Sequence, residues 1–471
     1  MAATLPVPST PSLRLVIAAG SLITSVVIGI RLTFGLYLDP VITELNTDRG
    51  TFALAIAIQN LLWGLSQPVA GAVADRFGTA KVLAVGGVGY AASMLLMATA
   101  DGTGLLILSA GFLVGIATGA ASFAVVLAAV GRIAPPERRS MALGIVTAMG
   151  SVGQFVLVPA AQRLLDSTDW RTTVTIMGLV ALLVVIAAVP FRGKADDLIS
   201  QAAAADDADQ GNTLRQELRR AFAHRSYLFL NLAFFVCGFH VTFIGTHLPT
   251  YVTDQGISAS VGATALSLIG LFNIVGSLVA GALGGRYSKT KLLAIIYAMR
   301  AVFIGAYVFS PISATSTIVF GATFGLLWLS TVPLTSGIIT SQFGTRHSGS
   351  LFGIVFLAHQ LGAFVGVLLG GELADATGSY RLVWLIALAL GLFAAIMHML
   401  IDEGPAPAAP DPAERRPTMA PAGAAAAVAL VGLASAAVVI TAGTTDASAD
   451  EPAALGATSL FCPLGGVHVA D

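Results

Sequence analysis

Long apolar stretches recur along most of the chain and restrict what it can fold into. A membrane-spanning helix needs about 20 mostly apolar residues, and stretches of this kind occur twelve times. The predicted spans 1 to 12 cover residues 15–38, 51–74, 82–100, 104–130, 140–163, 172–191, 227–252, 260–285, 291–310, 315–342, 350–373 and 381–401. A bilayer core offers no water to unpaired backbone groups, so each span must be helical. The sequence therefore predicts an all-α membrane protein with twelve transmembrane helices.

The composition excludes several other classes of protein. The chain is 56% hydrophobic and 10% charged, whereas soluble domains carry about 25% charged residues. A net charge of -1 offers no basic surface for nucleic acid. Cys237 lies in an apolar stretch and Cys462 near the C-terminus, so they form neither a disulfide framework nor a metal site. We expect the lipid bilayer as a partner, and no nucleic acid, metal or cofactor.

The distribution of lysine and arginine predicts the orientation. With both ends of the twelve-helix core in the cytoplasm, 18 of these residues fall in inner segments and 4 in outer loops. Arg31 and Arg300 lie within spans. Cytoplasmic loops of membrane proteins carry this excess of positive charge. We therefore expect a multi-pass protein of the cell inner (plasma) membrane.

A polar central segment divides the spans into two groups of six. The predicted parts are a cytoplasmic N-terminus (1–14), an N-terminal six-helix bundle (15–191), a cytoplasmic central loop (192–226), a C-terminal six-helix bundle (227–402) and an Ala/Pro/Gly-rich tail (403–471), expected to be disordered. Residues 214–225 fit either a helix at the membrane interface or a solvated linker. Residues 423–443 are long enough for a thirteenth span, and an out-of-frame extension would look similar.

One loop between two spans is repeated. The segment Gly71-Ala-Val-Ala-Asp75-Arg76-Phe-Gly78-Thr-Ala-Lys81 joins spans 2 and 3. It returns 210 residues later, between spans 8 and 9, as Gly281-Ala-Leu-Gly-Gly285-Arg286-Tyr-Ser288-Lys-Thr-Lys291. The glycine at the start and two basic residues are kept, but Asp75 and Gly78 are replaced by Gly285 and Ser288. This repeat indicates two related halves.

The first copy fits every fixed position of the loop G-x-x-x-D-R-x-G-x-x-[RK], and residues 12 to about 402 resemble the major facilitator superfamily. The resemblance implies two pseudo-symmetric six-helix bundles that rock around a central substrate site. It also implies that the loop contacts span 11 of the other half and helps hold the outward-open state. The gating residues would be Gly71, Asp75, Arg76, Gly78 and Lys81, whereas the second copy would only set topology.

Other stretches resemble the monocarboxylate transporter group and its bacterial relatives. They are Arg138-Arg139 before span 5, Asp169-Trp170-Arg171 at span 6, and Gly371-Glu-Leu-Ala-Asp-Ala-Thr-Gly-Ser-Tyr380 after span 11. The mammalian members carry an Asp and an Arg in span 8, where this chain has Asn273 and Ser277. Their span-1 lysine falls near Leu36 here. Lactate or pyruvate as substrate, and the standard proton mechanism, therefore do not carry over.

Charged and polar groups within the spans are the candidates for substrate binding, since a charge in the membrane costs about 2.5–3.5 kcal/mol on insertion scales. Arg31 in span 1 could bind a carboxylate with its fork of donors, or it could pair with backbone carbonyls. Arg300 in span 9 could bind substrate or pair internally. Gln154 and Asn273 could contact substrate, whereas Asn60 more typically hydrogen-bonds between helices.

Three histidines lie in spans expected to line the central cavity. His240 and His247 in span 7 and His359, followed by Gln360, in span 11 could bind substrate or change protonation near neutral pH. The alternative is a neutral histidine bonded between helices. No Asp or Glu lies deep in a span. If protons drive transport, a histidine or the substrate's own carboxyl must carry them.

The expected function is secondary active transport of a small, monocarboxylate-like organic anion, with protons as a candidate coupling ion. The alternatives are efflux of amphipathic or drug-like compounds, and a non-transporting sensor or receptor on the same fold. Glycine pairs such as Gly115 and Gly119 follow no β-strand and predict close helix packing rather than a nucleotide loop. We expect no enzymatic activity, no catalytic residues, no ATP drive and a monomer.

Overall fold

The computed structural model describes residues 12–192, 213–344 and 347–406. Within these ranges it contains twelve helices long and apolar enough to cross a membrane, and no β-strand. They are α1 (Leu13–Leu36), α2 (Arg49–Ala74), α3 (Thr79–Ala98), α4 (Thr103–Ile133), α5 (Met141–Ser167), α6 (Trp170–Phe191), α7 (Arg225–Asp254), α8 (Ala259–Gly284), α9 (Lys289–Phe309), α10 (Ala314–Phe343), α11 (Ser348–Thr377) and α12 (Arg381–Met399). Each helix overlaps its predicted span. The all-α fold is confirmed, and the chain is a multi-pass membrane protein.

Four of the twelve helices, α1, α4, α6 and α10, are interrupted along their length, and the breaks in α1 and α10 bear on the site. The regular part of α1 stops at Arg31, and a 3-10 turn, Phe34–Leu36, continues it. Helix α10 consists of Ala314–Leu327 and Thr331–Phe343, and Pro333 at the start of the second part has no N–H to donate. Such breaks leave backbone groups unpaired inside the membrane, where they need side-chain partners.

The 210-residue offset seen in the repeated loop also relates helix contacts in the two halves. A Cβ added at Gly115 of α4 would lie 2.8 Å from the Gln59 carbonyl oxygen of α2. A Cβ at Gly325 of α10 would lie 2.9 Å from the Ile269 carbonyl oxygen of α8. Small residues let membrane helices approach closely, so the predicted packing role of Gly115 is confirmed. Equivalent glycine contacts therefore pack α4 against α2 in the first half and α10 against α8 in the second half.

The two six-helix halves meet along two pairs of helices. Helix α2 packs against α11, and α5 packs against α8. Within the halves, α1 packs against α5 and α7 packs against α11. A site between α1, α2 and α11 therefore lies where the two halves meet.

The two ends of the helical core differ in how the halves meet. We call the end with residues 75–81 the inner end, following the charge prediction, and the opposite end the outer end. At the outer end Arg49 of α2 forms a bidentate ion pair with Asp254 of α7, with both N–O distances 2.7 Å. At the inner end, a Cβ added at Gly71 of α2, Gly144 of α5 or Gly349 of α11 would meet no atom within 4 Å. The structure is therefore closed at the outer end, whereas these glycine faces of α2, α5 and α11 are not covered by another described helix at the inner end.

A short helix before α7 is fixed to the inner end of the second half. It runs from Leu214 to Ala223 and begins with a capping box between Thr213 and Gln216. Arg220 donates to the carbonyl of Ala406 and lies over the Phe343 ring of α10. Leu214 and Phe222 stay exposed, as an interfacial helix requires. These contacts favour the helix over the solvated linker.

The chain after α12 returns to the repeated loop of the second half. Glu403 accepts hydrogen bonds from the Thr290 backbone N–H at 2.8 Å and from the Ser288 hydroxyl at 2.5 Å. The second copy of the loop therefore starts α9 with a carboxylate cap supplied by the end of the helical core. Residues 423–443, the suggested thirteenth span, lie outside the described residues.

Candidate functional site

Arg31 lies at the end of the regular part of α1, in contact with α2. Its guanidinium donates to the side-chain oxygen of Asn60 and lies over the Trp63 ring, with the guanidinium carbon 4.7 Å from the ring centroid. The Asn60 amide nitrogen donates to the Ile56 carbonyl at 2.7 Å, which fixes its oxygen toward Arg31. Asn60 and Trp63 are three residues apart and so share one face of α2. Arg31 is thereby held in one orientation.

Two donors of this cluster have no acceptor in the described part of the protein. The Nε–H of Arg31 and the indole Nε1–H of Trp63 are buried without a hydrogen-bond partner. Among the described residues, no carboxylate forms an ion pair with Arg31. A buried charge and buried donors are costly unless they are paired. The cluster is therefore suited to an anion that accepts hydrogen bonds.

Helix α11 completes the cluster from the other half. The Gln360 amide donates to the Asn60 backbone carbonyl at 3.1 Å, and its side-chain oxygen lies 3.0 Å from His359 Nδ1. Phe356 stacks on His359, with ring centroids 5.5 Å apart, and meets the Trp63 ring edge-on at 5.4 Å. The structure thus brings together three predicted site residues, Arg31, His359 and Gln360.

The α5/α8 contact holds two further predicted residues but engages them in bonds between helices. The Gln154 amide donates to the Leu266 carbonyl at 2.7 Å. The Asn273 amide donates to the Ser151 hydroxyl at 2.7 Å, and its oxygen accepts from the Leu329 N–H at 2.8 Å, at the break in α10. Both side chains are almost completely buried.

Arg300 is buried inside the second half, at the same break in α10. Its guanidinium donates to the carbonyl oxygens of Leu327 at 2.6 Å and Trp328 at 2.5 Å. It also lies over the Tyr297 and Phe324 rings. Arg300 thus pairs internally with backbone carbonyls, which was one of its two predicted alternatives. Its side chain has no exposed surface.

His240 and His247 are also buried within the second half. His240 Nε2 lies 2.7 Å from the Ala387 carbonyl of α12. His247 has the Val367 carbonyl 2.8 Å from Nε2 and the Tyr380 hydroxyl 3.1 Å from Nδ1. Neither ring contacts the Arg31 cluster. They remain predicted substrate ligands that this arrangement does not bring to the site.

The predicted gating loop lies at the inner end. Gly78 has φ of +99° and ends the helix that contains α2, and Arg76 is exposed. Gly71 faces open space. The Asp75 side chain lies outside the described part of the structure. The loop's role in holding the outward-open state stays a prediction.

Sequence reasoning does not single out Trp63 and Phe356. The spans hold most of the 24 phenylalanines and four tryptophans, and such residues usually fill cores. The available signal was Asn60, because a polar side chain three residues before Trp63 places both on one helix face. Two depressions, of about 540 and 420 Å³, lie at the outer end and contain none of the Arg31 cluster.

A twelve-helix membrane protein whose two halves meet at an arginine that forms no ion pair among the described residues has the architecture of a membrane carrier. A family model described as Major Facilitator Superfamily matches residues 17–366 and 330–466. The chain therefore belongs to the Major Facilitator Superfamily of transporters.

Individual relatives are similar over most of their length. An uncharacterised MFS-type transporter of Bacillus subtilis is 27% identical over 79% of this chain and 90% of its own. Monocarboxylate transporter 13 of Rattus norvegicus is 23% identical over 77% of this chain and 83% of its own.

Solved structures share the fold. A bacterial homologue of the human lysosomal transporter Spinster, in an inward-facing and occupied conformation, has a TM-score of 0.65 at 16% identity. The match covers 83% of this chain and 97% of the Spinster homologue. A D-xylose–proton symporter has a TM-score of 0.67 at 14% identity, with 84% of this chain and 99% of its own covered.

Proposed function

We propose that this protein is a secondary active transporter of a small organic anion, a carboxylate, and that it works by alternating access of the rocker-switch type. The observation that carries the proposal is the Arg31 cluster between α1, α2 and α11. Its guanidinium has no carboxylate partner among the described residues and keeps a buried donor unpaired. A carboxylate would supply both the charge and the acceptors.

The aromatic rings beside Arg31 indicate which carboxylates fit. Trp63 and Phe356 meet edge-on, and Phe356 is only partly buried. An apolar or flat organic group attached to the carboxylate could lie against these rings while the charge reaches Arg31. We therefore propose that aromatic or branched monocarboxylates bind more tightly than the shortest hydroxy acids.

Similarity supports the same substrate class. The relatives include monocarboxylate transporters 12 and 13 from several vertebrates, which are 23–25% identical to this chain. We place the protein in the cell inner membrane as a monomer, with both ends of the helical core in the cytoplasm. A proton gradient is the driving force we propose.

The test is uptake into proteoliposomes under an imposed pH gradient, measured with a panel of labelled aliphatic and aromatic carboxylates. We expect accumulation of at least one carboxylate by the wild type. Arg31→Gln should weaken its binding by about 100-fold, or ~3 kcal/mol, because a buried charge pair is lost. Normal uptake by Arg31→Gln would contradict the role of Arg31.

Arg300→Gln is the matched control, since it removes the other arginine within the spans. It should lower the free energy of unfolding by about 2–3 kcal/mol, because buried backbone carbonyls lose their hydrogen-bond donor. Arg31→Gln should leave the melting temperature in detergent nearly unchanged. Energised export of amphipathic or drug-like compounds, without carboxylate accumulation, would favour the alternative function.

A further inference from the structure

A third copy of the gating-loop spacing occurs in the chain, at the opposite end of the membrane. Gly371, Asp375, Gly378 and Arg381 follow one another at the same intervals as Gly71, Asp75, Gly78 and Lys81, 300 residues earlier. Ala374 also corresponds to Ala74. Only the basic residue after the aspartate is absent, since Ala376 stands in its place. The first copy ends α2, and this copy ends α11.

Helices α2 and α11 pack together and run in opposite directions. The C-terminal end of each therefore lies beside the N-terminal end of the other. At the outer end, Asp375 of α11 accepts a hydrogen bond from the Gly50 N–H of α2, with an N–O distance of 2.6 Å. Gly50 is the second residue of α2, so the carboxylate of one half caps a helix of the other half. A negative charge is favourable at that position.

The glycine that opens this copy permits the contact. A Cβ added at Gly371 would lie 2.6 Å from Ala53 Cβ and 2.7 Å from the Arg49 carbonyl oxygen. Gly71, its counterpart in the first copy, faces open space, as does Gly349 near the start of α11. The glycine of this copy is thus packed against the other half, while the glycine of the first copy contacts no other helix.

Other charged groups surround the Asp375 contact. They are Arg49 paired with Asp254, Asp39 accepting from the Thr253 hydroxyl, Asp48 capping its own helix at Thr51, Glu372 next to Gly50, and Tyr380 beside Arg49. Apart from the Asp48 cap, which stays within the first half, each of these contacts joins the two halves. Asp375 is the carboxylate that caps α2 from the other half.

We propose that Asp375 is an outer latch of the transport cycle, the counterpart of the gating loop at the inner end. Capping of α2 by Asp375 stabilises the state that is closed outside. When the outer end opens, this contact breaks, and the gating loop at the inner end would then make the contact with α11 that the family resemblance implies. The two copies therefore engage in turn. This inference rests on the alternating opening proposed above, but not on the identity of the substrate.

The test measures the outer opening directly. Asp101 and Ser310 are exposed in outer loops of the two halves, and cysteines placed there can carry spin labels in a Cys462→Ser background, since Cys237 is buried. The distance distribution is recorded without substrate. Asp375→Asn should reduce the ratio of outer-closed to outer-open molecules by roughly five-fold, because the charge on the helix N-terminus is lost. Asp75→Asn should change the ratio in the opposite direction.

Matched variants separate this role from general damage. Asp166→Asn at the outer end of α5 is the control, because Asp166 bonds only with Gln162 of its own helix in the described contacts. It should leave the distribution unchanged. Gly371→Ala should open the outer end as Asp375→Asn does, which covers the case in which Asp375→Asn folds poorly. A wild-type distribution in both Asp375→Asn and Gly371→Ala would overturn the latch.

The same samples distinguish the latch from the proposed function. Arg31→Gln should abolish uptake and leave the substrate-free distance distribution unchanged. If no carboxylate is transported but Asp375→Asn still opens the outer end, the latch stands and the substrate assignment fails. If carboxylate uptake is normal and Asp375→Asn leaves the distances unchanged, the substrate assignment stands and the latch fails.

Discussion

The two interfaces between the halves are related by the internal repeat, yet they are held by different interactions. At the membrane surface the α2/α11 contacts are charged, as in the 2.6 Å bond from Gly50 to Asp375, and a neutral bond from Gln360 to Asn60 lies farther along the same helices. At α5/α8 they are neutral and lie near the middle, as in the bonds from Gln154 to Leu266 and from Asn273 to Ser151. Near the outer end of α5 and α8, a depression of about 540 Å³ remains between the halves.

This difference suggests separate tasks for the two interfaces. Neutral bonds in the membrane interior are shielded from salt and pH, so they can act as a permanent hinge. Charged bonds at the rim are weakened by water and ions, so they can break and re-form in each cycle. The α2/α11 side also carries Asn60, Trp63 and Gln360, so the proposed substrate site and the proposed latch lie on the same pair of helices.

Among changes that test this comparison of the two interfaces, the largest expected effect comes from breaking the neutral interface. Asn273→Ala would leave the Ser151 hydroxyl and the Leu329 N–H buried without a partner, and it should lower the unfolding free energy by about 1–2 kcal/mol. Thermal melting in detergent measures this. Asn231→Ala is the control, because Asn231 bonds only to Tyr227 in its own helix in the described contacts. An equal loss in the two variants would refute the bridging role.

A smaller effect is expected from the charged rim. Arg49 and Asp254 keep 22% and 33% of their side chains exposed, so Arg49→Gln should cost the outer-closed state about 1 kcal/mol or less. The spin-label distances would show it at low ionic strength. At about 1 M salt, where the screening length is roughly 3 Å, wild type and variant should converge. A difference that persists in high salt would argue against a screened ion pair.

The smallest effect tests whether a carboxylate cap within one half moves the equilibrium. Glu403 caps α9 inside the second half, and although burial opposes ionisation, the bonds from Ser288 and Thr290 hold its pKa below the ordinary value of 4.5. The stabilisation is present above that value and is lost as the pH falls through the lowered pKa. Glu403→Gln should therefore cost about 0.5 kcal/mol at neutral pH.

The melting difference between wild type and Glu403→Gln should disappear in acid, and the outer-end distances should not change at any pH. A shift of these distances would show that a cap within one half also controls opening. The contrast with Asp375 would then be lost.

Much of the fold followed from the sequence. The twelve spans and the two halves needed only hydropathy, charge distribution and a repeat at 210 residues, because the bilayer forces apolar stretches into helices. The exception is the chain near Glu403, which was assigned to a disordered tail but caps α9. Hydropathy does not register a single carboxylate that reaches a helix terminus.

The candidate site was predicted less completely. Arg31, His359 and Gln360 stand out as polar groups in apolar spans, and the structure places them together. Arg300 and His240 stand out for the same reason but lie inside the second half. Hydropathy cannot tell which face of a helix points to the other half. That depends on where the partner helices lie, and so does the pairing of Trp63 with Phe356.

The sequence by itself determined that this chain spans a membrane twelve times, that it has two related halves, and that it carries few charges within them. These properties depend on composition and on the order of residues within each segment, because each apolar segment forms its own helix in the bilayer. Only the tertiary structure decided which arginine keeps a buried N–H without an acceptor among the described residues, and which end is closed. It also decided that Asp375 meets Gly50, because these facts depend on contacts between segments as much as 325 residues apart.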